Sequence, residues 1–482
     1  MFFDSFDFAI FLPTVFFLYW FVTNRNLKLQ NIFIVIVSYV FYSWWDWRFL
    51  SLIIFSTFTD YLAGILLSKQ LNNHKRKLIL CISVIVDISF LGFFKYFNFF
   101  VDNFISAFSF FGGKFDPYHL NIILPVGISF YTFQTMSYSI DVYRKKLEPT
   151  KDFIAFAAFV SFFPQLVAGP IERAANFLPQ FKISKVFSYD MAVDGCKQML
   201  WGFFKKVVVA DNCAEYVNVV FNDFYECSSS TLALAAALFT FQIYADFSGY
   251  SDIAIGTSKL FGFRLKRNFA YPFFSRDIAE FWRRWHISLT TWFRDYIYFS
   301  LGGSRNGLHI AIRNTFVIFI VSGFWHGANW TFIIWGFINA LYFMPLLIFN
   351  KNRKNIDIIA KDKLLPSIKD TISMLSTFFL TVFAFIFFRA ETLGNAFSYI
   401  FNMFSYSFFS MPEFVGVGKI TIGNIVLSIF ILIIIEWINR NEEYGFRVQF
   451  KNRFLRWTCY IIVTLMIVEL TGKQQGFIYF QF

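Results

Sequence analysis

Two histidines stand where an imidazole could do proton chemistry: His286 in W-R-R-W-H-I-S (282–288) and His326 in S-G-F-W-H-G-A-N-W (322–330). Imidazole is the side chain best suited to moving a proton near neutral pH, and no other candidate nucleophile or base competes with this pair. The remaining histidines have solvated explanations, His74 in a basic loop, His119 in an external loop and His309 near a helix start. Counting from Arg313, thirteen helical residues rise roughly 20 Å, less than the ~30 Å of a hydrocarbon core. His326 is therefore expected inside the membrane, past its midplane when approached from the cytosol. Gly323 and Gly327 flank it and leave room for another backbone or for a substrate. A lone histidine in a span is more often a hydrogen-bonded structural residue. The pairing with His286 and the glycine-opened packing shift the balance towards chemistry.

The element that must carry His286 runs from Asp277 to Ser300. At 100° per residue, Ile278, Phe281, Trp282, Trp285, Leu289, Trp292, Phe293 and Tyr296 share one stripe. Asp277, Glu280, Arg284, Thr291 and Asp295 share the opposite face, with Glu280 and Arg284 at i,i+4 spacing. This predicts one amphipathic helix lying in the interface or against a bundle, with His286 at the border of its aromatic stripe. The following L-G-G-S-R-N-G (301–307) joins glycines to Arg305, which would suit a phosphate, although a plain turn explains it equally simply.

Two further polar stretches interrupt apolar sequence, where a charge costs several kcal/mol. F-F-P-Q-L-V-A-G-P-I-E-R (162–173) sets two prolines and a glycine before Glu172 and Arg173. It reads either as a re-entrant element or as a kinked span with an interfacial ion pair. D-F-S-G-Y-S-D (246–252), at the cytosolic end of an expected span, could line a site through Asp246, but helix capping is the simpler reading.

The background to these residues is a chain of 482 residues that is 57% hydrophobic, 23% aromatic and 15% charged. Soluble domains carry nearer 25% charged residues and cannot hide so much apolar surface. The chain is thus expected to be an all-α polytopic membrane protein of about eleven or twelve spans. Its 75 phenylalanines exceed any evident functional need. The net charge of +12 fits cytosolic loops of a membrane protein better than nucleic-acid binding, and the basic residues after the first and third apolar runs place the N-terminus outside. Loop 213–230, with Glu215, Asp223 and Glu226 but no Lys or Arg, reads as external, whereas loops 350–369 and 439–457 read as cytosolic. Asp4 and Asp7 precede the first apolar run, against a cleavable signal. The five cysteines lack metal-ligand spacing, so no metal is expected. Three regions follow: N-terminal spans over 1–120, a catalytic core over 121–350 and C-terminal spans over 351–482.

Taken together and in order, 162–173, D-F-S-G-Y-S-D-I-A-I-G (246–256), F-W-R-R-W-H-I-S-L-T-T-W-F-R-D-Y-I-Y (281–298), L-G-G-S-R (301–305), G-F-W-H-G (323–327) and F-I-Y-F-Q-F (477–482) resemble the membrane-bound O-acyltransferase family. Within it the chain is most similar to the bacterial alginate O-acetylase branch. The resemblance implies a multi-helix fold pierced by a funnel, with His326 as the catalytic histidine and His286 as the second characteristic polar position. It further implies an acyl thioester donor, acetyl-CoA, with no bound cofactor. The implied partners are a periplasmic or extracellular esterase-like protein and a polysaccharide acceptor, in the bacterial cytoplasmic membrane. Arg283, Arg284 and Arg305 are then candidates for the donor's phosphates, and Asp246, Glu172 and Arg173 for substrate contacts. D-alanyl transfer to a cell-envelope polymer is the nearest alternative. A polysaccharide transporter would call for repeated halves and more charged pairs deep in the spans, and a degenerate scaffold subunit would not need both histidines.

Overall fold

The computed structural model describes residues 1–110, 119–167, 169–361, 363–447 and 452–480. Asp116, Ala168 of the 162–173 motif, residues 448–451 of the basic 439–457 loop and Gln481 and Phe482 of the last motif lie outside the described residues. Among the described residues every regular element is helical, and the protein is an all-helical, multi-pass membrane protein. Among the described residues seven helical stretches are long and apolar enough to cross a bilayer: Leu27–Lys69, Asn73–Phe110, Ser229–Leu260, Leu308–His326, Trp330–Ile348, Ile368–Arg389 and Thr421–Ile438. The first is in fact two 20-residue helices, Leu27–Asp46 and Leu50–Lys69, joined by a tight turn over Trp47–Phe49. Other apolar runs fold as shorter pieces, such as Phe6–Val22 and Ile128–Tyr143, so fewer helices reach spanning length than the eleven or twelve expected crossings. Outward faces carry exposed Leu78, Ile82, Ile85, Ile88 and Phe93 on one helix alone. Such a stripe is stable against lipid and would not be against water.

The chain divides into two compact units, residues 1–195 with 257–266, and residues 196–256 with 267–482. In the first, Ile128–Tyr143 is buried along nearly its whole length. A cluster of Asp60, Asp87, Ser56, Ser83, Thr135 and Ser139 ties the helices around it. The 162–173 segment is broken as its prolines and glycine suggest: Phe153–Ser161 and Phe163–Leu166 are helical, and extended chain leads to Glu172. Phe162, Phe177, Phe181 and Phe263 pack ring against ring beside it. Here some of the phenylalanine excess has a packing role.

In the second unit, Leu308–His326 and Trp330–Ile348 form a tight antiparallel pair. A Cβ on Gly323 would overlap the Phe332 carbonyl oxygen, and one on Gly336 would overlap that of Phe319. Glycine at these two positions lets the backbones touch. Gly327 faces the Phe332 ring. The space opened beside His326 is therefore filled by a neighbouring helix. Asn329 makes the turn, its Oδ1 accepting from the Thr331 N–H to cap the returning helix.

The expected single helix over 277–300 is broken in the structure. Asp277 caps Ile278–Arg284, Trp285 is extended, and Ile287–Phe293 begins anew before a wider turn over Arg294–Tyr298. The cause is non-local. The Ala270 N–H bonds the Arg284 carbonyl at 2.9 Å, and the Ile287 N–H bonds the Asn268 carbonyl at 2.8 Å. These bonds replace the helical ones and leave His286 in the left-handed region at φ 42°, a conformation that costs a non-glycine residue of order 1–3 kcal/mol. Asp246 and Asp252 also differ from the capping expectation, because both sit within the continuous Ser229–Leu260 helix.

Candidate active site

Both histidines are buried within the second unit. His286 is held from one side by Asn268. Asn268 Oδ1 lies 3.2 Å from His286 Nδ1, 2.9 Å from the Ser288 hydroxyl and 3.3 Å from the Ser288 backbone nitrogen. A backbone N–H can only donate, so the oxygen of the amide faces this cluster, and the amide nitrogen donates to Ser251 Oγ at 3.2 Å. His286 Nδ1 must then carry the proton, leaving the Nε2 lone pair on the far edge of the ring. That Nε2 is buried and meets no hydrogen-bond partner among the described residues. Burial pushes the His286 pKa down to about 3, so the ring is neutral at physiological pH and accepts at Nε2 without being charged.

Around that ring stand Phe247, edge-on at 4.6 Å between centroids, Trp325 at 6.0 Å and Tyr479 at 6.2 Å. The last two also contact His326, Trp325 at 5.0 Å and Tyr479 at 5.4 Å. Trp335 and Phe388 complete the His326 surround at 5.1 and 5.2 Å. The structure therefore brings the two histidines together around two shared aromatic rings. Each comes from a helix junction: His326 ends its helix before Gly327, and His286 is the left-handed residue between two.

Tyr479 is positioned by a buried charge cluster. Lys206 pairs with Asp211 at 2.7 Å and Asp246 at 3.0 Å, and donates to the Gln475 carbonyl at 3.0 Å. Asp246 Oδ2 accepts the Ile478 backbone N–H at 2.7 Å. Two points of segment 475–478 are thus fixed, and Phe477 and Tyr479 are laid on Phe247. A charge-assisted pair buried this deeply is strongly destabilised by loss of one partner. Asp246 accordingly holds the segment that covers the histidines. On the other side of Asn268 lies a polar cavity lined by Lys205, Ser251, Asp252, Arg267 and Glu436, in which Lys205 and Asp252 pair at 2.5 Å.

Two of the three arginines expected at the donor site, Arg283 and Arg284, have other partners. Arg284 pairs with Glu280 at 2.7 Å, and Arg276 bridges Glu280 and Asp357. Arg283 donates to the carbonyls of Asn352 and Asn355 at 2.8 and 2.6 Å. Arg305 is exposed in the 299–306 turn. Glu172 and Arg173 belong to the first unit. Glu172 is buried, accepts the Lys266 backbone N–H at 2.5 Å, and is raised by burial to about 7.

Asn268, Tyr479 and Lys206 were not singled out from sequence. Lys205 and Lys206 sit in F-F-K-K-V-V-V-A (203–210), and two cations in apolar sequence were signal enough to find the Lys206 cluster. Asn268 carries no comparable local signal, and Tyr479 lies in the F-I-Y-F-Q-F segment without being marked out within it.

A buried imidazole pair lined by aromatic rings can take a proton from a hydroxyl out of bulk water, the step that acyl transfer to an alcohol requires. The profile of the membrane-bound O-acyltransferase family matches residues 39–358. The chain belongs to this family and is an O-acyltransferase. The chain is 39% identical over 427 residues to the protein named probable alginate O-acetylase AlgI of Pseudomonas aeruginosa, covering 88% of this chain and 79% of that one. It is 34% identical over 398 residues to the peptidoglycan O-acetyltransferase of Helicobacter pylori, covering 77% and 73%. With the teichoic acid D-alanyltransferase of Bacillus subtilis it shares 28% identity over 290 residues, covering 57% and 71%.

Proposed function

We propose that this enzyme moves an acetyl group from a cytosolic thioester, acetyl-CoA, to an extracytoplasmic polysaccharide through an esterase-like partner outside the bacterial cytoplasmic membrane. The observation that carries the reading is the sharing of Trp325 and Tyr479 by two buried histidines. The relatives at 39% and 34% identity named for O-acetyl transfer support acetyl over D-alanyl, while the 28% relative keeps D-alanyl transfer as the alternative. In orientation, the N-terminus lies outside, and Leu308–His326 carries its histidine from the cytosolic side outward.

In the reaction the acceptor oxygen attacks the thioester carbonyl carbon, the C–S bond breaks, and the thiolate leaves with a proton. His326 takes the proton from the acceptor hydroxyl as general base and returns it to the departing thiolate; transient transfer of the acetyl group to its ring is the alternative role. His286, with Nδ1 committed to Asn268, takes the second role: its Nε2 accepts a hydrogen bond that orients a reactant. Arg283 and Arg305 remain candidates for the donor's phosphates at the cytosolic side, while Arg284, Glu172, Arg173 and Asp246 act by holding the frame. Purified enzyme given acetyl-CoA and a hydroxyl acceptor should release CoA, and the His326→Ala variant should not. Undiminished transfer of labelled acetyl by that variant would remove His326 from the mechanism. D-alanyl transfer without acetyl transfer would select the alternative.

A further inference from the structure

We propose that the loop between Trp330–Ile348 and Ile368–Arg389, residues 349–367, is a seat for anionic phospholipid headgroups, and that lipid held there raises turnover by steadying the helix that leads to His286. The turnover part rests on the reading of the enzyme as releasing CoA from acetyl-CoA.

The neighbours of the loop place it at headgroup level, because both flanking helices are long and apolar enough to cross a bilayer. It carries Lys351, Arg353, Lys354, Lys361 and Lys363 against Asp357 and Asp362. Its backbone is tied to the protein. Arg440 donates to the carbonyls of Ile359, Ala360 and Lys363 at 3.0, 2.5 and 2.5 Å, and the Trp437 indole N–H donates to that of Leu364 at 2.8 Å. Ile359 is fully buried against Tyr271 and Phe274. The loop therefore has a fixed inner side and a free outer one.

The outer side has the chemistry of a membrane surface. All five basic side chains are exposed, and among the described residues none of them forms an ion pair with a carboxylate. Asp357 is occupied by Arg276 at 2.9 Å. Between the cations, Ile356, Leu364, Leu365 and Ile368 are 72–82% exposed. Water suits the cations but not this cluster of large aliphatic side chains. A soluble anion such as the CoA donor would pair with the lysines and leave the aliphatics uncovered. A phospholipid meets both, its phosphate reached by Lys and Arg while apolar side chains enter the acyl boundary. The excess of cations selects a headgroup with net negative charge.

The inner side of the same loop holds both ends of Ile278–Arg284. Asn355 donates to Asp277 Oδ2 at 2.7 Å, and Asp277 caps the helix by accepting the Glu280 N–H at 2.7 Å. Arg276 donates to the Asp357 carbonyl at 3.0 Å and to its carboxylate at 2.9 Å. At the far end Arg283 donates to the carbonyls of Asn352 and Asn355. His286 follows directly, in a left-handed conformation that its surroundings must impose. A loop pinned by lipid keeps these bonds made, and a loop without that hold lets them open. Lipid thus favours the population in which His286 is set, which changes kcat and leaves KM for acetyl-CoA alone. The lysines act on the histidine as positioning residues.

The test uses the full-length enzyme, with phosphatidylglycerol and phosphatidylcholine as probes. In native mass spectrometry the first should bind at least about tenfold more tightly, since each basic residue near an anionic surface strengthens attraction roughly fivefold. Changing Lys351, Lys354, Lys361 and Lys363 together to Gln should remove most of that preference, and changing them together to Arg should keep it. In nanodiscs containing phosphatidylglycerol the wild-type kcat for CoA release should be severalfold higher than in phosphatidylcholine alone, with KM for acetyl-CoA unchanged. Raising the ionic strength should narrow the gap, and in the Gln variant the gap should close. Melting temperature checks the fold of each variant, and the two-lipid and salt comparisons on the wild type stand even if the Gln variant fails to fold. Equal binding of the two lipids, or an unchanged preference in the folded Gln variant, would overturn the lipid seat. A raised KM for acetyl-CoA in that variant in phosphatidylcholine alone would assign the lysines to the donor and overturn it as well. Lysine-dependent lipid binding with equal kcat in both nanodiscs would overturn the link to His286. Lysine-dependent binding in an enzyme that never releases CoA supports the lipid seat and overturns acetyl transfer from acetyl-CoA.

Discussion

Both units bury polar side chains in an apolar protein, and they use them in opposite ways. Around Asp60 and Asp87 the first unit gathers hydroxyls: Ser83 and Ser139 donate to Asp60 Oδ1, and Ser56 donates to Asp87 Oδ1 at 3.2 Å. Those bonds cross between Leu50–Lys69, Asn73–Phe110 and Ile128–Tyr143 and stitch the helices together. In the second unit His286 is fixed at one nitrogen by Asn268 and left open at the other, facing aromatic rings. Hydrogen-bonding capacity turned towards helix partners stabilises a fold. Capacity withheld from the protein in a dry, preorganised pocket is available to a substrate. Substitutions should separate the two, the first cluster changing stability and the second changing rate.

The largest effect should come from His326→Ala, which removes the general base and should lower CoA release per folded enzyme by roughly 10²–10⁴-fold, beyond what the loss of a buried ring's packing costs in melting temperature. The next should come from Asn268→Leu. That change deletes the group that sets the His286 tautomer, and partners of this kind typically cost ~10–100-fold when lost. Asn268→Asp should restore part of the rate, because a carboxylate oxygen also accepts from Nδ1. A rate unchanged in Asn268→Leu would mean that His286 orientation does not matter to turnover.

How much of this was legible in sequence depends on how local the cause is. His286, His326, the broken 162–173 segment and the membrane-spanning helices follow from composition and from single polar residues in apolar runs. The break at His286 was not legible, because the periodicity runs straight through it and the bonds that interrupt the helix come from residues 268 and 270. Asp246 was noticed for its charge but misread as a cap, since its partners, Lys206 and the Ile478 N–H, lie 40 residues before and 232 after. Asn268 acts through tertiary position alone, and Tyr479 lies in the quoted 477–482 segment but its contact with both histidines is tertiary. Gly323 was legible as open packing, but only the structure shows that the neighbouring helix fills the space.

Glu172 in the first unit gives a pH test on the stability side of the comparison. Burial raises its folded pKa from 4.5 to about 7, so between those values the folded protein keeps a proton that the unfolded chain releases. Its contribution is fully present below pH 4.5 and is lost as pH rises through 7, with an upper bound of about 3 kcal/mol. Glu172→Gln should flatten that part of the melting-temperature profile. A parallel profile in the variant would show that Glu172 does not titrate there.

The smallest effect should be that of Ser139→Ala, and it tests the first unit most cleanly. The substitution removes one hydroxyl bond to Asp60 and changes little volume. Net loss of one such bond is worth about 0.5–1.5 kcal/mol for neutral partners and about 1.5–3 kcal/mol if the acceptor is charged. The melting temperature should therefore fall by a few degrees while CoA release per folded enzyme stays at the wild-type rate. Pairing the change with Ser83→Ala, on the same oxygen, should give a non-additive loss, because the two hydroxyls share one acceptor. A fall in rate at unchanged stability would erase the distinction between the two units, since the Asp60 cluster would then act on turnover rather than on helix packing.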